Sequence, residues 1–269
     1  MTTPSHRFDS SSIATIGMVH LRPLPGTPRS LRAPEAIAST AVGEARMLAD
    51  AGFDAILVEN MHDLPYLLRS VGPEIVASMA VATKAVVDAV TIPVGVQILA
   101  GANHAAIAVA HAAGAQFIRA EGFAYASVAD EGIFAEADAG PLLRYRRAIG
   151  AEHIAIWADV RKKHSAHALT ADLSIADLVS GTHFAGADAV IVTGPHTGSP
   201  ASDVDIDAAR AASPLPVMVG SGVTSESLPG LLNRASGVIV GSTLKVDGRW
   251  ENELDPASIS RFIKARHGH

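Results

Sequence analysis

The amino-acid sequence predicts an α/β protein folded as a single (β/α)₈ barrel. The chain has 269 residues, close to the roughly 250 residues of a typical barrel of this class. Short apolar segments alternate with longer alanine-rich amphipathic ones, which is the pattern of β–α–β units around a parallel sheet. The short segments are almost continuously apolar, as expected of parallel strands that are buried on both faces.

Each of eight successive units contributes one predicted strand and one predicted helix. The predicted strands are Ile13–Val19, Asp54–Glu59, Val94–Leu99, Gln116–Arg119, Ile154–Asp159, Ala189–Thr193, Pro216–Val219 and Val238–Val240. The predicted helices are Pro34–Ala51, Pro73–Val90, Ala102–Ala113, Pro141–Ile149, Ser174–Ala185, Asp203–Ala212, Ser225–Arg234 and Pro256–Ala265. Proline begins several helices, where its missing N–H costs no hydrogen bond. We expect residues 1–12 to form a flexible arm and residues 13–269 to form the barrel domain.

Composition excludes several classes of function. The chain has 21 Lys and Arg against 27 Asp and Glu, a net charge of −6, which argues against a nucleic-acid polymer as partner because such proteins carry a basic surface. The absence of cysteine removes disulfides, thiolate nucleophiles and cysteine-bound metals, and is typical of a reducing cytoplasm. Neither a signal peptide nor a membrane-inserted segment is predicted. Peripheral membrane association and homo-oligomer formation stay open.

Two connections are longer than the few residues usual between a strand and a helix. Residues Ala120–Gly140 follow the fourth predicted strand, and Val160–Leu173 follow the fifth. Both leave the carboxyl ends of strands, where barrels of this class carry their active sites. We interpret the two segments as a lid or a substrate-binding loop, the alternative being an ordinary surface insertion.

Glycine-containing loops predict a phosphate site. Val219–Thr224 and Val240–Thr243 lie where the last two strands end, and glycine there lets backbone N–H groups approach an anion closely. Barrels frequently bind phosphate at this pair of loops, although tight turns also require glycine for purely structural reasons. A third loop, Thr193–Ser199, is placed to add further donors. The residues predicted to bind phosphate are Arg119, Thr197, Gly198, Gly220, Ser221, Gly222, Gly241 and Ser242.

Polar side chains at or just after strand ends predict a catalytic site. A charged group there is costly unless it is paired or solvated, so its position on the catalytic face makes it a candidate acid, base or metal ligand. Glu59 and Asp159 are the strongest candidates for acid–base catalysis, followed by His20. The alternative for each carboxylate is a structural ion pair with Arg119 or Lys163. The polar residues at these positions are His20, Glu59, Asn60, Arg119, Glu121 and Asp159.

The segment Lys162–His167 adds further candidates. Lys163 can clamp a phosphate, transfer a proton or form a Schiff base, and His164 can stabilise developing negative charge. His164 and His167 lie three residues apart, a spacing that can bind a metal if the segment is helical. A divalent metal is the one possible cofactor. Its candidate ligands are Glu59, Asp159 and His164.

Several motifs together resemble the BtpA/SgcQ family. They are Gly17–Pro28, Asp54–Asn60, Asp63–Tyr66, Leu142–Arg146, Ala158–Val160 with Lys163–His164, Asp188–Gly194 with Thr197–Gly198, Val219–Thr224 and Val240–Gly248. The resemblance covers nearly the whole chain and implies a barrel similar to the ribulose-phosphate-binding barrels. One branch of that family is named for photosystem I biogenesis, and another is associated with sugar-utilisation gene clusters. The segment Gln97–Asn103 departs from the family pattern, in which an arginine and an acidic residue follow the third strand.

These features favour an enzyme acting on a phosphorylated sugar or nucleotide-like metabolite, as an isomerase, a lyase or aldolase, or a glycosidic hydrolase. Glu59 or Asp159 would be the acid or base, and Lys163 or His164 would stabilise negative charge. The resemblance supplies the main alternative, a non-catalytic assembly or stability factor for a membrane complex, which would need an exposed docking surface such as Arg261–Arg266. A ligand-binding sensor that lacks catalysis is the third hypothesis.

Overall fold

The computed structural model describes residues 8–266 of the chain. Eight parallel strands close into a barrel, which confirms the predicted (β/α)₈, or TIM-barrel, fold. The barrel strands are β1 (Thr15–His20), β2 (Ala55–Glu59), β3 (Val94–Gln97), β4 (Phe117–Ala120), β7 (Ala155–Asp159), β9 (Ala189–Val192), β10 (Val217–Val219) and β11 (Gly237–Val240). They pair in chain order, and β11 pairs with β1 to close the barrel, with Thr15 opposite Val238.

Helices surround the barrel at the predicted positions, with ends that differ by at most three residues. They are α1 (Pro34–Ala51), α2 (Pro73–Ala89), α3 (Asn103–Ala113), α4 (Ala139–Ala148), α5 (Ile175–Phe184), α6 (Asp203–Ala212), α7 (Leu228–Arg234) and α8 (Pro256–Arg266). Proline begins α1 and α2. Gly52 ends α1 with φ 98°, a left-handed conformation that glycine adopts without steric cost. Single 3₁₀ turns cover Ser10–Ser12, Ala168–Thr170, Ser242–Leu244 and Val246–Gly248.

The two long connections form one small sheet. The first contains β5 (Ser127–Ala129) and β6 (Gly132–Phe134), and the second contains β8 (Ser165–Ala166). β5 lies in the middle and pairs antiparallel with both neighbours. The ammonium of Lys162 adds a contact between the connections, 3.0 Å from a carboxylate oxygen of Glu131. We call this three-stranded sheet the lid sheet.

The alternation of side chains along each strand places apolar layers inside the barrel and a polar layer at its carboxyl end. In β1, Ile16 and Met18 contribute to the interior cluster, and His20 lies two residues further on. In β2, Leu57 belongs to the same cluster, and Glu59 ends the strand. A second and larger apolar cluster fills the space between the strands and the helices.

Part of the predicted N-terminal arm packs against the amino-terminal end of the barrel. The ring of Phe8 stacks on Phe117 with 5.8 Å between ring centroids. The indole N–H of Trp157 donates a 2.7 Å hydrogen bond to the hydroxyl of Ser10. Residues 8–12 are therefore packed against the barrel, contrary to a flexible arm over the whole of 1–12, and residues 1–7 lie outside the described residues.

The C-terminal segment considered as a docking surface is part of the barrel. Phe262 of α8 is fully buried, and its ring stacks on Phe53 at 5.8 Å. Arg266 donates to the carboxylate of Asp54 at 2.9 Å and to the carbonyl of Gly52 at 3.0 Å. The apolar face of this helix is thus covered by the protein itself. Within residues 8–266, every helix is too short or too polar to cross a membrane.

Candidate active site

A cavity of about 160 Å³ lies at the carboxyl ends of the strands. Its walls come from β1, β2 and β4 on one side and from the loops after β9, β10 and β11 on the other. Eleven of the thirteen residues predicted for the site line it. They are His20, Glu59, Arg119, Lys163, Thr197, Gly198, Gly220, Ser221, Gly222, Gly241 and Ser242. We call this space the glycine-lined cavity.

Strand register brings His20 and Glu59 together. The two residues are opposite each other in the β1–β2 pair, and His20 Nε2 lies 3.5 Å from Glu59 Oε2. Burial raises the pKa of Glu59, an effect that the charges of Lys163 and Arg119 oppose. Burial also lowers the pKa of His20 well below its ordinary value, and the charge of Lys245 lowers it further. The imidazole is therefore neutral near pH 7, and the pair can exchange a proton with a ligand.

The loop after β10 presents backbone donors to the cavity. Gly222 has φ +64°, and a Cβ there would lie 2.3 Å from the backbone nitrogen of Pro200, so only glycine fits. The N–H groups of Gly222 and Val223 donate to no other group among residues 8–266. Unpaired N–H groups beside a cavity are the donors that an anion recruits.

Hydroxyl groups hold the three loops in place. Ser221 accepts a hydrogen bond from the N–H of Gly194 at 2.7 Å and donates to the carbonyl of Ser199 at 2.9 Å. Thr243 donates to the carbonyl of Val223 at 2.6 Å. The side chain of Ser221 is thus engaged in joining loops, so this residue supports the shape of the cavity as well as lining it.

Asp159, predicted as an acid or base, does not line the glycine-lined cavity. Its two carboxylate oxygens accept from Arg119 Nε at 3.1 Å and Nη2 at 3.0 Å. Both side chains are almost fully buried, at 3% and 1% exposure. The structural ion pair that was the alternative for Asp159 is the observed arrangement. It fixes the guanidinium of Arg119, which does reach the cavity.

Lys163 and His164 are separated although they are adjacent in sequence. The ammonium of Lys163 lines the cavity and has no hydrogen bond or ion pair with any group in residues 8–266. Burial lowers its pKa, the charge of Arg119 lowers it further, and Glu59 opposes both effects. His164 is exposed outside the glycine-lined cavity, with Nε2 2.9 Å from the hydroxyl of Thr197.

The three candidate metal ligands, Glu59, Asp159 and His164, do not form a metal-binding cluster in the described part of the chain. In residues 8–266, no three His, Asp or Glu side chains are close enough to share a metal ion. Glu59, Asp159 and His164 fail because Arg119 occupies the carboxylate of Asp159 and His164 is exposed beside Thr197. The segment with His164 and His167 also contains strand β8 instead of the helix that their spacing would need.

A second cavity of about 230 Å³ adjoins the first, sharing Glu59, Met61, Lys163 and Thr197 with it. We call it the outer compartment. Glu121, one of the polar residues identified at strand ends, lines this compartment. Here it is 2% exposed, and its pKa is raised to about 7, mainly by burial, with Lys162 opposing. The remaining lining residues are Leu64, Tyr66, Leu99, Glu121, Asp130, Glu131, Lys162, His164 and Trp250.

The fold and the cavity define the class of protein, a TIM barrel with a glycine-lined cavity after its last strands. Phosphoribosyl anthranilate isomerase from Thermus thermophilus shares this fold, with a TM-score of 0.57 and 12% sequence identity. The match covers 95% of this chain and 99% of the isomerase. At this level of identity the comparison establishes the fold alone.

The chain belongs to the BtpA family, whose family model matches residues 11–268. A Caenorhabditis elegans protein with "mitochondrial" in its name is 44% identical over 268 residues, covering 97% of this chain and 95% of that protein. The Photosystem I biogenesis protein BtpA of Synechocystis sp. is 38% identical over 252 residues. The match covers 93% of this chain and 86% of the Synechocystis protein. The predicted family is therefore confirmed.

Proposed function

We propose that this protein is an enzyme that acts on a small phosphorylated sugar or nucleotide-like metabolite. One observation carries the proposal. The glycine-lined cavity has unpaired backbone N–H groups on one side and three ionisable side chains on the other, the buried Glu59 and His20 and the half-buried Lys163. A phosphate on the first side would hold the rest of the molecule against the second.

The phosphate would bind to the loops after β10 and β11. The N–H groups of Gly222 and Val223 would donate to it, and the guanidinium of Arg119, already oriented by Asp159, would supply a positive charge. Binding a remote phosphate in this way orients the reacting end of a substrate and contributes to rate through positioning.

The reacting end would meet three groups suited to proton transfer. Glu59, with its raised pKa, can act as general acid or base, and the neutral imidazole of His20 can accept or donate through Nε2. Lys163, with its lowered pKa, can stabilise developing negative charge or form a Schiff base. Isomerisation, aldol-type cleavage and glycosidic hydrolysis all use such groups.

A thermal-shift screen against phosphorylated sugars and nucleotides tests the proposal. A ligand at about 100 times its Kd stabilises the folded state by about 2.7 kcal/mol, which raises Tm by roughly 5 °C or more for a chain of this size. The variant Ser242→Asp places a negative charge on the cavity wall and should abolish the shift. Ser39→Asp, on the exposed face of α1, is the matched control and should preserve it.

Catalysis is tested separately on any compound that binds. Glu59→Gln should bind the compound with a Kd within a few fold of that of the unmodified protein and should form no product. Phosphorus NMR of the compound after incubation with each protein detects product formation. Binding without turnover in the unmodified protein would instead support a ligand-binding sensor. If no phosphorylated compound shifts Tm, the enzyme proposal fails. The assembly-factor hypothesis, which rests on the 38% identity to the Synechocystis protein, would then take its place.

A further inference from the structure

The outer compartment has no assigned occupant in the proposed function. It lies next to the glycine-lined cavity, and Glu59, Met61, Lys163 and Thr197 line both spaces. A ligand whose phosphate lies at the glycine loops would therefore extend its other end into this space. The chemistry of the lining then limits what that end can be.

The ionisable side chains that line the outer compartment are predominantly acidic. Four carboxylates, Glu59, Glu121, Asp130 and Glu131, face two lysines. One of these, Lys162, is already bound, with Nζ 3.0 Å from Glu131 and 4.0 Å from Glu121. The other, Lys163, also borders the glycine-lined cavity. A second anionic group on the ligand would meet repulsion here, because Coulomb energies are large where water is displaced.

The same lining offers hydrogen-bond acceptors and an apolar surface. Glu121 Oε2 is buried without a hydrogen-bond partner among residues 8–266, and such an atom gains free energy from any donor that reaches it. Apolar and aromatic side chains complete the wall and suit the flat face of a ring. They are Met61, Leu64, Tyr66, Leu99 and Trp250.

We propose that the outer compartment binds an uncharged ring bearing O–H or N–H donors, attached to the phosphate-bearing part of the same ligand. Sugar hydroxyls and the amino groups of a nucleobase share this chemistry. A second phosphate or a carboxylate at that end is disfavoured. The inference rests on the proposed function, since it takes the position of the phosphate from it.

Isothermal titration calorimetry with matched ligands tests the inference. Inorganic phosphate measures the phosphate site alone. Glucose 1-phosphate against glucuronic acid 1-phosphate, and ribose 5-phosphate against ribose 1,5-bisphosphate, compare a neutral with an anionic far end on the same ring. AMP provides the nucleobase. We expect each neutral ligand to bind at least roughly tenfold more tightly than its anionic counterpart, a lower limit that corresponds to a single Coulomb contact largely screened by solvent.

The variant Glu131→Gln gives a second measurement. It removes one carboxylate and releases the ammonium of Lys162 from its closest partner, so the preference for neutral ligands should fall by roughly tenfold. Asp50→Asn, exposed at the far end of α1, removes the same charge away from the site and should leave the preference unchanged. If Glu131→Gln does not fold, the comparison of matched ligands in the unmodified protein decides alone.

The outcomes distinguish failure of this inference from failure of the proposed function. Anionic ligands that bind as tightly as neutral ones would overturn the inference and leave the proposed function standing. Absence of binding by every phosphorylated compound and by phosphate would overturn the proposed function, and the inference with it. Tighter binding of AMP than of the sugar phosphates would assign a nucleobase to the compartment, and the reverse order would assign a sugar. When the neutral ligands bind more tightly than their anionic counterparts, either of these last two results supports the inference.

Discussion

At the scale of single residues, Glu121 makes the stability of the protein depend on pH. Its carboxyl group is buried, and its pKa rises from 4.5 to about 7 on folding. Between these values the folded state binds more protons at this site than the unfolded state does. Stability is therefore lost as pH rises through this window, and the loss is complete above pH 7. The loss amounts to about 3 kcal/mol at most.

The variant Glu121→Gln isolates this contribution because glutamine has the shape of the neutral acid. We expect the variant to gain stability relative to the unmodified protein between pH 5 and pH 8, by up to about 3 kcal/mol. Urea unfolding of both proteins at the two pH values measures the difference. A constant difference across the range would mean that Glu121 titrates with an ordinary pKa in the folded protein.

Residue positions in the site were more predictable than residue contacts. Strand ends and glycine loops identify which residues reach the carboxyl end of the barrel, and Glu59, Gly222 and most of the others do line one cavity. The contact between Arg119 and both oxygens of Asp159 could not be predicted from the sequence. It depends on the direction in which each side chain leaves its strand, and the two strands are neighbours in the barrel. The separation of His164 from Lys163 could not be predicted either, because both residues lie in a long connection, where His164 adopts a left-handed backbone conformation with φ 57°.

At the scale of elements, the lid sheet joins two connections that are distant in sequence. β5 is its central strand, so each N–H in it points to one neighbour or the other, and a proline there removes a ladder hydrogen bond. Val128 lies opposite Ile133 in β6 and Ala166 in β8. Val128→Pro should therefore loosen both connections together while the barrel keeps its structure.

Hydrogen exchange followed by mass spectrometry checks this prediction. Peptides covering residues 127–134 and 163–170 should both exchange roughly tenfold faster in Val128→Pro, and a peptide containing β9 should be unaffected. Val128→Ala keeps the N–H and is the matched control. Faster exchange in residues 127–134 alone would show that the two connections behave independently.

The elements themselves could be predicted to different degrees. The eight barrel strands and eight helices follow from apolar runs, proline at helix starts and glycine at helix ends, and all sixteen are present. The lid sheet could not be predicted, because strands of two or three residues such as β8 carry too short a pattern. Their pairing is also set by contacts between connections that lie more than thirty residues apart.

At the scale of the whole molecule, stability depends on closing the barrel between its first and last elements. β1 pairs with β11, and α8 covers the junction between α1 and the start of β2. Arg266 fixes this arrangement through Asp54, which also accepts from the N–H of Thr15 at 2.8 Å. The last helix is therefore as much a part of the cooperative fold as the strands.

Phe262→Ala tests this closure. The ring is fully buried and stacked on Phe53, and removal of such a ring leaves a cavity that costs about 3–5 kcal/mol. Denaturant unfolding, followed by the fluorescence of Trp157 inside the barrel, measures the free energy of unfolding. We expect that free energy to fall by this amount, and the midpoint of the transition to move to a lower denaturant concentration. Lys264→Ala, on the exposed face of the same helix, should change stability by less than about 0.5 kcal/mol. An unchanged transition in Phe262→Ala would mean that α8 unfolds separately, as a detachable docking segment would.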